Sequence, residues 1–442
     1  MQPGVTHHPL AIPIAFLFVS LVGALFSANA YRPFTRDGRL SIGVFFAGWL
    51  TSELPIHHLA WQVLAAAAFV WAGALSAWPG YVALAIALGS WAGLVRMSQK
   101  AGGAGDVVER ALVEALGPDY ADRIDAAERA RLASPQSLGQ LILPFLPRHP
   151  DVERVAGLAY GPAGRRNQLD IYRPRRAGAG DKRPVLVQIH GGAWILGDKS
   201  QQGLPLMVHM ASLGWVCVAI NYRLSPRATF PDHLIDVKRA LAWVKAHIAE
   251  HGGDPDFVVI TGGSAGGHLC SLAALTPNDP EYQPGFESAD TSVQGCVPFY
   301  GVYDFTNRKG VGRKDMRDFL GRLVMKRRFA DAKELYDRAS PMSRVGAHAP
   351  PFFVIHGTHD TLVPVEEARL FVDLLRAASR EPVAYAEIPG AQHAFEVFLS
   401  PRTGHVVRGV ARFLAYTHAT HLAVHATPAR ASAPSEPAAL MA

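Results

Sequence analysis

Phe257-Val-Val-Ile-Thr-Gly-Gly-Ser264-Ala-Gly-Gly-His-Leu-Cys-Ser-Leu-Ala-Ala-Leu275 is the stretch on which the fold turns. Its first five residues read as a short buried strand, and Leu269 to Leu275 read as helix. Between them lies Gly-x-Ser-x-Gly, whose small residues permit the tight, strained strand–turn–helix that lifts a serine above a sheet. The amino terminus of the following helix favours negative charge developing nearby. Ser264 is therefore the expected nucleophile.

A serine hydroxyl is a weak nucleophile and needs a base that a third group orients. Downstream, Ile355-His-Gly-Thr-His-Asp360-Thr-Leu-Val-Pro364 places an acid just past a strand end. Ile388-Pro-Gly-Ala-Gln-His393-Ala-Phe395 places a histidine just past the next one. Both positions lie where open α/β sheets bind ligands, at the carboxyl ends of strands. His393 is expected as general acid–base and Asp360 as the group that orients it. Asp304, after an earlier strand, is the second candidate acid. His356 and His359 flank the acid, and His356, ending a strand, reads as packed. His268, one turn into the nucleophile helix, reads as structural. Upstream, His190-Gly191-Gly192-Ala193-Trp194 ends another buried strand and supplies backbone N–H groups for an oxyanion. Each such donor lowers the barrier by about 3 kcal/mol. Gly192, Ala193 and Ala265 are the expected donors, with His190 and Gly191 supporting the loop.

Working outward, β-type runs alternate with helices. The expected strands are Gln168–Pro174, Pro184–His190, Trp215–Arg223, Phe257–Thr261, Val293–Tyr300, Pro351–His356 and Pro382–Ile388. Leu234, Val237, Leu241, Val244 and Ile248 mark one face of a helix over 234–251. Runs apolar on both faces imply a mostly parallel sheet covered by helices, an α/β class.

Together, HGGAW, NYRLSP (Asn221–Pro226), GGDPD (Gly252–Asp256), GGSAGG, HGTHDTLVP and the final His resemble the α/β-hydrolase fold. Within it the set resembles the hormone-sensitive-lipase-like carboxylesterases and a branch that includes prenylcysteine methylesterases. The whole arrangement looks like membrane-anchored Lip-type esterases of actinobacteria. The resemblance covers roughly residues 150–416. It implies cleavage of carboxylic esters through an acyl-enzyme, with no metal or organic cofactor. An amidase, a formamidase or an acyltransferase would use the same groups, and a degenerate hydrolase domain would make a membrane interaction protein. Two departures stand out: Ala193 replaces the third glycine of HGGG, and Gly263 replaces an Asp before the nucleophile.

The amino end carries the rest of the character. The chain has 442 residues, 49% hydrophobic and only 18% charged, with net charge +6 from 43 basic and 37 acidic residues. That excludes a mainly disordered chain, and the charge is too spread out for nucleic acid. Leu10–Ala28, Leu59–Ala77 and Tyr81–Val95 are uncharged apolar runs suited to crossing a bilayer. Pro79-Gly80 is the expected turn of a helical hairpin. Ser41–Leu54 is apolar but short, and could extend a span, re-enter or cross. Three spans put Arg32, Arg36 and Arg39 on the same side as Arg96 and Lys100. By the positive-inside bias, everything after Lys100 is then cytoplasmic. The expected divisions are a multi-pass membrane anchor over 1–100 and an amphipathic helical linker or cap over 101–150. A catalytic domain follows over 151–416 with an insertion at 303–345, and then a disordered tail over 417–442. Ester or lipid substrate and the bilayer are the expected partners; oligomeric state is unreadable. Cys217, Cys270 and Cys296 are too scattered for a disulfide or zinc framework and read as buried thiols. Between Phe305 and Arg328 the insertion carries nine basic residues interleaved with Leu320, Leu323 and Val324. This suggests either a solvated face or a basic cap lying on anionic lipid.

Overall fold

Eight short runs rich in β-branched and aliphatic residues form one sheet. They are β1 (Val152–Ala159), β2 (Gln168–Pro174), β3 (Arg183–Ile189), β4 (Val216–Ile220), β5 (Gly253–Gly263), β6 (Gly295–Phe299), β7 (Phe352–Gly357) and β8 (Val383–Ile388). In this computed structural model, which describes residues 10–35, 38–133 and 138–425, the strand order is β1-β2-β4-β3-β5-β6-β7-β8. β2 pairs antiparallel with β1 and β4; every later pairing is parallel. Arg36, Ser137 and residues 426–442 lie outside the described residues.

The helices of nine or more residues are α1 (Ala11–Tyr31), α2 (Leu40–Glu53), α3 (Pro55–Trp71), α4 (Trp78–Ala101), α5 (Ala104–Leu116), α6 (Leu204–Ser212), α7 (Asp232–His247), α8 (Ala265–Ala274), α9 (Val365–Ala378) and α10 (Pro401–His425). Strand side chains alternate between two cores, as a pleat requires. Val185, Val187, Val258 and Ile260 pack with Leu234 of α7, Leu269 of α8 and Phe371 of α9. Leu186, Phe257 and Val259 pack on the opposite face with Val108 of α5, Met207 of α6 and Val410 of α10. All seven expected strands form. β1 was not legible, because Glu153, Arg154 and Gly157 break up any regular alternation of its apolar residues. Its register also slips between Val155 and Leu158, around Gly157 at φ +77°. Cys217, Cys270 and Cys296 are buried free thiols.

Two expectations are corrected, and the two open readings of the basic insertion are narrowed. Pro79-Gly80 is not the hairpin turn. The chain turns over 72–77, with Gly73 at φ +90°, and Pro79 sits in the first turn of α4, where its missing N–H costs nothing. The carboxyl end stays helical to His425 rather than becoming disordered from 417, since Phe413, Leu414 and Tyr416 of α10 are buried against the sheet. The basic insertion does not offer its apolar stripe outward. Leu320 and Val324 are buried in the domain core, with Leu323 packed against it. Several of its cations are paired within the domain, Arg308 with Asp304, Arg313 with Asp315 and Arg328 with Asp331.

Two helices among the described residues are long and apolar enough to cross a membrane, α1 and the α4–α5 run Trp78–Leu116. α2 and α3 together pass the same test but are bent by 94° at their junction. α1 runs alongside α4 in the same direction, since Ser27 meets Ser90 at 2.8 Å and the Tyr31 hydroxyl donates to the Gly93 carbonyl at 2.6 Å. α3 runs the other way, with Phe69 on Phe16 and His58 on Phe26. The expected linker divides: α5 packs on the sheet through Val108, Ala111 and Leu112. The segment 142–146 leaves Ile142, Leu143, Phe145 and Leu146 exposed.

Candidate active site

Ser264 stands between the last residue of β5 and the first of α8, at φ 58° and ψ −119°. A non-glycine residue held there stores strain on the order of 1–3 kcal/mol. The surrounding glycines make the turn possible. A Cβ on Gly262 would lie 2.5 Å from the Gly266 carbonyl oxygen, and one on Gly266 would strike the Ile189 carbonyl. The elbow is thus pressed against the end of β3, which brings the 190–194 loop beside the serine. A Cβ on Gly191 would sit 3.1 Å from that of Ser264.

That loop is itself strained and well clamped. Gly192, Ala193 and Trp194 have φ of 115°, 52° and 60°. The Gly191 N–H donates to Gln202 Oε1 at 2.7 Å. The buried Trp194 indole donates to His268 Nδ1 at 3.2 Å, and His268 Nε2 meets the Ala339 carbonyl at 2.8 Å. Burial pushes His268 down to about 3, so it is a neutral strut beneath the loop. His190 bonds the Gly191 carbonyl at 2.7 Å and stacks on Tyr222, and burial lowers it to about 4. Among the described residues no hydrogen bond engages the backbone N–H groups of Gly192, Ala193 or Ala265.

Beyond β7 and β8, His393 Nδ1 lies 2.7 Å from Asp360 Oδ2, and the two residues are 5% and 2% exposed. The other carboxylate oxygen accepts the N–H groups of Leu362 and Val363, both at 2.8 Å. Burial raises the Asp360 carboxyl, but the charge of His393 and hydrogen bonds from His356 and His393 outweigh it and hold the group below its ordinary range. An ionised carboxylate only accepts, so Nδ1 of His393 carries the proton and Nε2 is left as a base. His356 is packed as expected, its Nε2 2.9 Å from the Val363 carbonyl, yet it also approaches Asp360 Oδ2 at 3.3 Å. His359 instead reaches the Ala30 carbonyl at the end of α1. Asp304 is occupied locally by Thr306 and Arg308.

Sequence reasoning missed a group beside His393. The Tyr300 ring lies 4.5 Å from the imidazole, and its hydroxyl donates to the buried Glu396. This pair explains Gly263, because a Cβ there would sit 2.7 Å from the Tyr300 hydroxyl. An acid before the nucleophile and this tyrosine cannot share the space. The signals were Gly263 itself and a glutamate three residues past His393. Burial raises Glu396 from 4.5 to about 7 against the lowering bond from Tyr300. A carboxyl raised on folding binds its proton more tightly in the native state. Its stabilising contribution is complete below about 4.5 and is lost as pH rises through 7. Glu396→Gln, whose carbonyl still accepts from Tyr300, is expected to remove that loss. Thermal unfolding in detergent at pH 5 and pH 8 should show the wild type losing on the order of 2–3 kcal/mol more than the variant.

The BD-FAE family model matches residues 169–375. The chain is 47% identical over 407 residues to a probable carboxylic ester hydrolase, LipM, of Mycobacterium tuberculosis, covering 92% of this chain and 94% of that one. It is 42% identical over 401 residues to the esterase LipQ of the same organism, covering 89% and 90%. Among solved structures, a truncated carbohydrate esterase from gut microbiota superposes with a TM-score of 0.52 at 22% identity, over 61% of this chain and 96% of that one. That likeness speaks to the fold.

Proposed function

We propose, from the premise that the chain belongs to the Lip-type carboxylic ester hydrolases, that Ser264, His393 and Asp360 carry its ester hydrolysis and that its amino-terminal helices anchor it in a membrane. The observation that carries the chemistry is the buried His393–Asp360 pair at 2.7 Å, whose imidazole lies 4.5 Å from the Tyr300 ring that also abuts Gly263, the residue before the strained Ser264 elbow. Ser264 Oγ attacks the ester carbonyl while His393 Nε2 takes its proton. The N–H groups of Gly192, Ala193 and Ala265 receive the oxyanion, having no other partner to give up. His393 then returns the proton to the leaving alcohol. Water, activated by the same imidazole, attacks the acyl-enzyme and frees Ser264. Asp360 holds the imidazole in one tautomer and stabilises its charged form. Ala193 keeps its N–H, so the departure from HGGG leaves the donor in place.

Anchoring draws on the geometry of α1, α3 and α4. α1 and α4 run toward the domain and α3 away from it, so three passes leave Arg32, Arg39, Arg96 and Lys100 on the domain's side. Positive-inside bias then makes that side cytoplasmic. Large apolar side chains left exposed crowd into residues 10–95, among them Phe18, Leu64, Trp71 and Leu88. Water would oppose such a surface and hydrocarbon would accept it.

A fluorophosphonate probe applied to the full chain in isolated membranes tests both halves. The expected result is one adduct, mapped to Ser264, on a protein that stays with the lipid through an alkaline carbonate wash. An adduct on another residue overturns the nucleophile; release by carbonate overturns the anchor.

A further inference from the structure

α2 neither crosses beside α3 nor extends it. At 14 residues it spans about 21 Å, and it turns through 94° before α3 begins. Its inner face is fastened to the loops that carry the acid and the histidine. The Ser41 carbonyl accepts from the Thr361 hydroxyl at 3.2 Å. The Trp49 indole donates to the Ala394 carbonyl, next to His393, at 2.9 Å. Glu53 forms a buried ion pair with Arg402. Between these ties the Phe45 ring stands edge-on to the His393 imidazole at 6.1 Å and is itself only 6% exposed. A soluble domain would leave this side of the histidine to water; here a side chain from the amino-terminal segment covers it.

The outer face of α2 is apolar as well. Ile42, Phe46 and Leu50 recur every fourth residue and are exposed, which places them on one stripe. Trp49 also touches Phe398 at 4.8 Å, and Phe398 meets the exposed Phe145 at 5.2 Å. Apolar side chains therefore run from the histidine, through the buried Phe45 and across α2, to helices suited to hydrocarbon. A helix apolar on both faces fits a position between protein and lipid, not between protein and water.

We propose that α2 is one wall of the substrate site and that the substrate is a long-chain lipophilic ester drawn from the bilayer. Its hydrocarbon chain packs on Phe45 and Trp49 while its carbonyl sits at Ser264. This rests on the reading of Ser264 and His393 as the reacting pair of an anchored esterase, and it adds the substrate class. Each further methylene buried favours the longer ester about fourfold, so selection by chain length is its signature.

The test uses the full chain in phosphatidylcholine vesicles with p-nitrophenyl esters of four to sixteen carbons. Phe45→Ala is expected to lower the ratio of kcat/KM for the twelve-carbon ester to that for the four-carbon ester at least tenfold, and Phe45→Leu to restore most of it. Phe46→Asn, on the outer stripe, is expected to slow hydrolysis of the sixteen-carbon vesicle-borne ester at least fivefold relative to its own fluorophosphonate labelling rate. Because labelling reports a folded site, a misfolded variant is recognised by its loss and the second variant decides. Ratios within twofold of the wild type overturn the wall while leaving the esterase reading intact. A wild-type adduct away from Ser264 overturns both.

Discussion

Ser264→Ala is expected to lower kcat for any accepted ester by roughly 10⁶-fold, because a nucleophilic serine and its histidine act as a unit and neither contributes much without the other. The rate left in that variant is expected to come from the proposed oxyanion donors, the N–H groups of Gly192, Ala193 and Ala265, which would still polarise a bound carbonyl toward attack by water. The stability of that variant is expected to stay close to that of the wild type. The Ser264 hydroxyl makes no hydrogen bond among the described residues, so losing it costs the fold nothing in bonding. What the position imposes is a backbone at φ 58°, ψ −119°, which alanine suffers as serine does. Glycine relieves strain of about 1–3 kcal/mol and gives back about 0.5–1 kcal/mol in unfolded-state entropy. Ser264→Gly should therefore be as inactive as Ser264→Ala yet melt at a higher temperature. Initial rates on a short-chain ester and thermal unfolding in detergent decide it. Residual activity above one part in a thousand points to a different nucleophile, and a lower melting temperature for glycine shows the elbow to be relaxed.

The elbow was the most legible part of this chain, for reasons that show where legibility stops. Gly262, Gly263, Gly266 and Gly267 leave little choice of conformation, and each is now seen facing a backbone or ring that a Cβ would strike. The buried strands were equally open to reading, because being apolar on both faces is a local property of Val, Ile and Phe runs. Asp360 and His393 could be placed because both sit immediately past strand ends, where topology brings distant loops together. β1 escaped because Glu153, Arg154 and Gly157 interrupt its apolar residues and none of its positions is fully buried, unlike the other edge strand, β8.

Contacts between the amino-terminal segment and the site were illegible for a different reason. Ser41–Leu54 is apolar whichever way it points, and no periodicity separates a helix crossing lipid from one lying over a histidine. The ties that decide it are single polar groups: Trp49 to Ala394, Thr361 to Ser41, Arg402 to Glu53. All join residues more than 300 positions apart, and local sequence carries no mark of them. Tyr300 and Glu396 were hidden likewise, although Gly263 marked the space they fill.

Asp360→Asn is expected to lower kcat by about 10⁴-fold with the fold retained, and the hydrogen bonds at this carboxylate say why. Asparagine offers one acceptor oxygen. The N–H groups of Leu362 and Val363 both point at the Oδ1 position, and neither can turn away without breaking the loop, so they claim that oxygen. The amide NH₂ is left facing His393 Nδ1, which must then accept rather than donate. Its proton moves to Nε2, the atom that has to receive the serine's proton, and the base is lost. His356 cannot substitute, since its own Nε2 is engaged with the Val363 carbonyl. The loss should persist at every pH from 6 to 9, because the tautomer is set by hydrogen bonds that do not titrate there. A drop of less than tenfold would mean that another acid orients the imidazole. Glu396 would then be the residue to examine, reached through Tyr300, whose ring lies 4.5 Å from that of His393. Asp304 would not, with Thr306 and Arg308 already holding its oxygens.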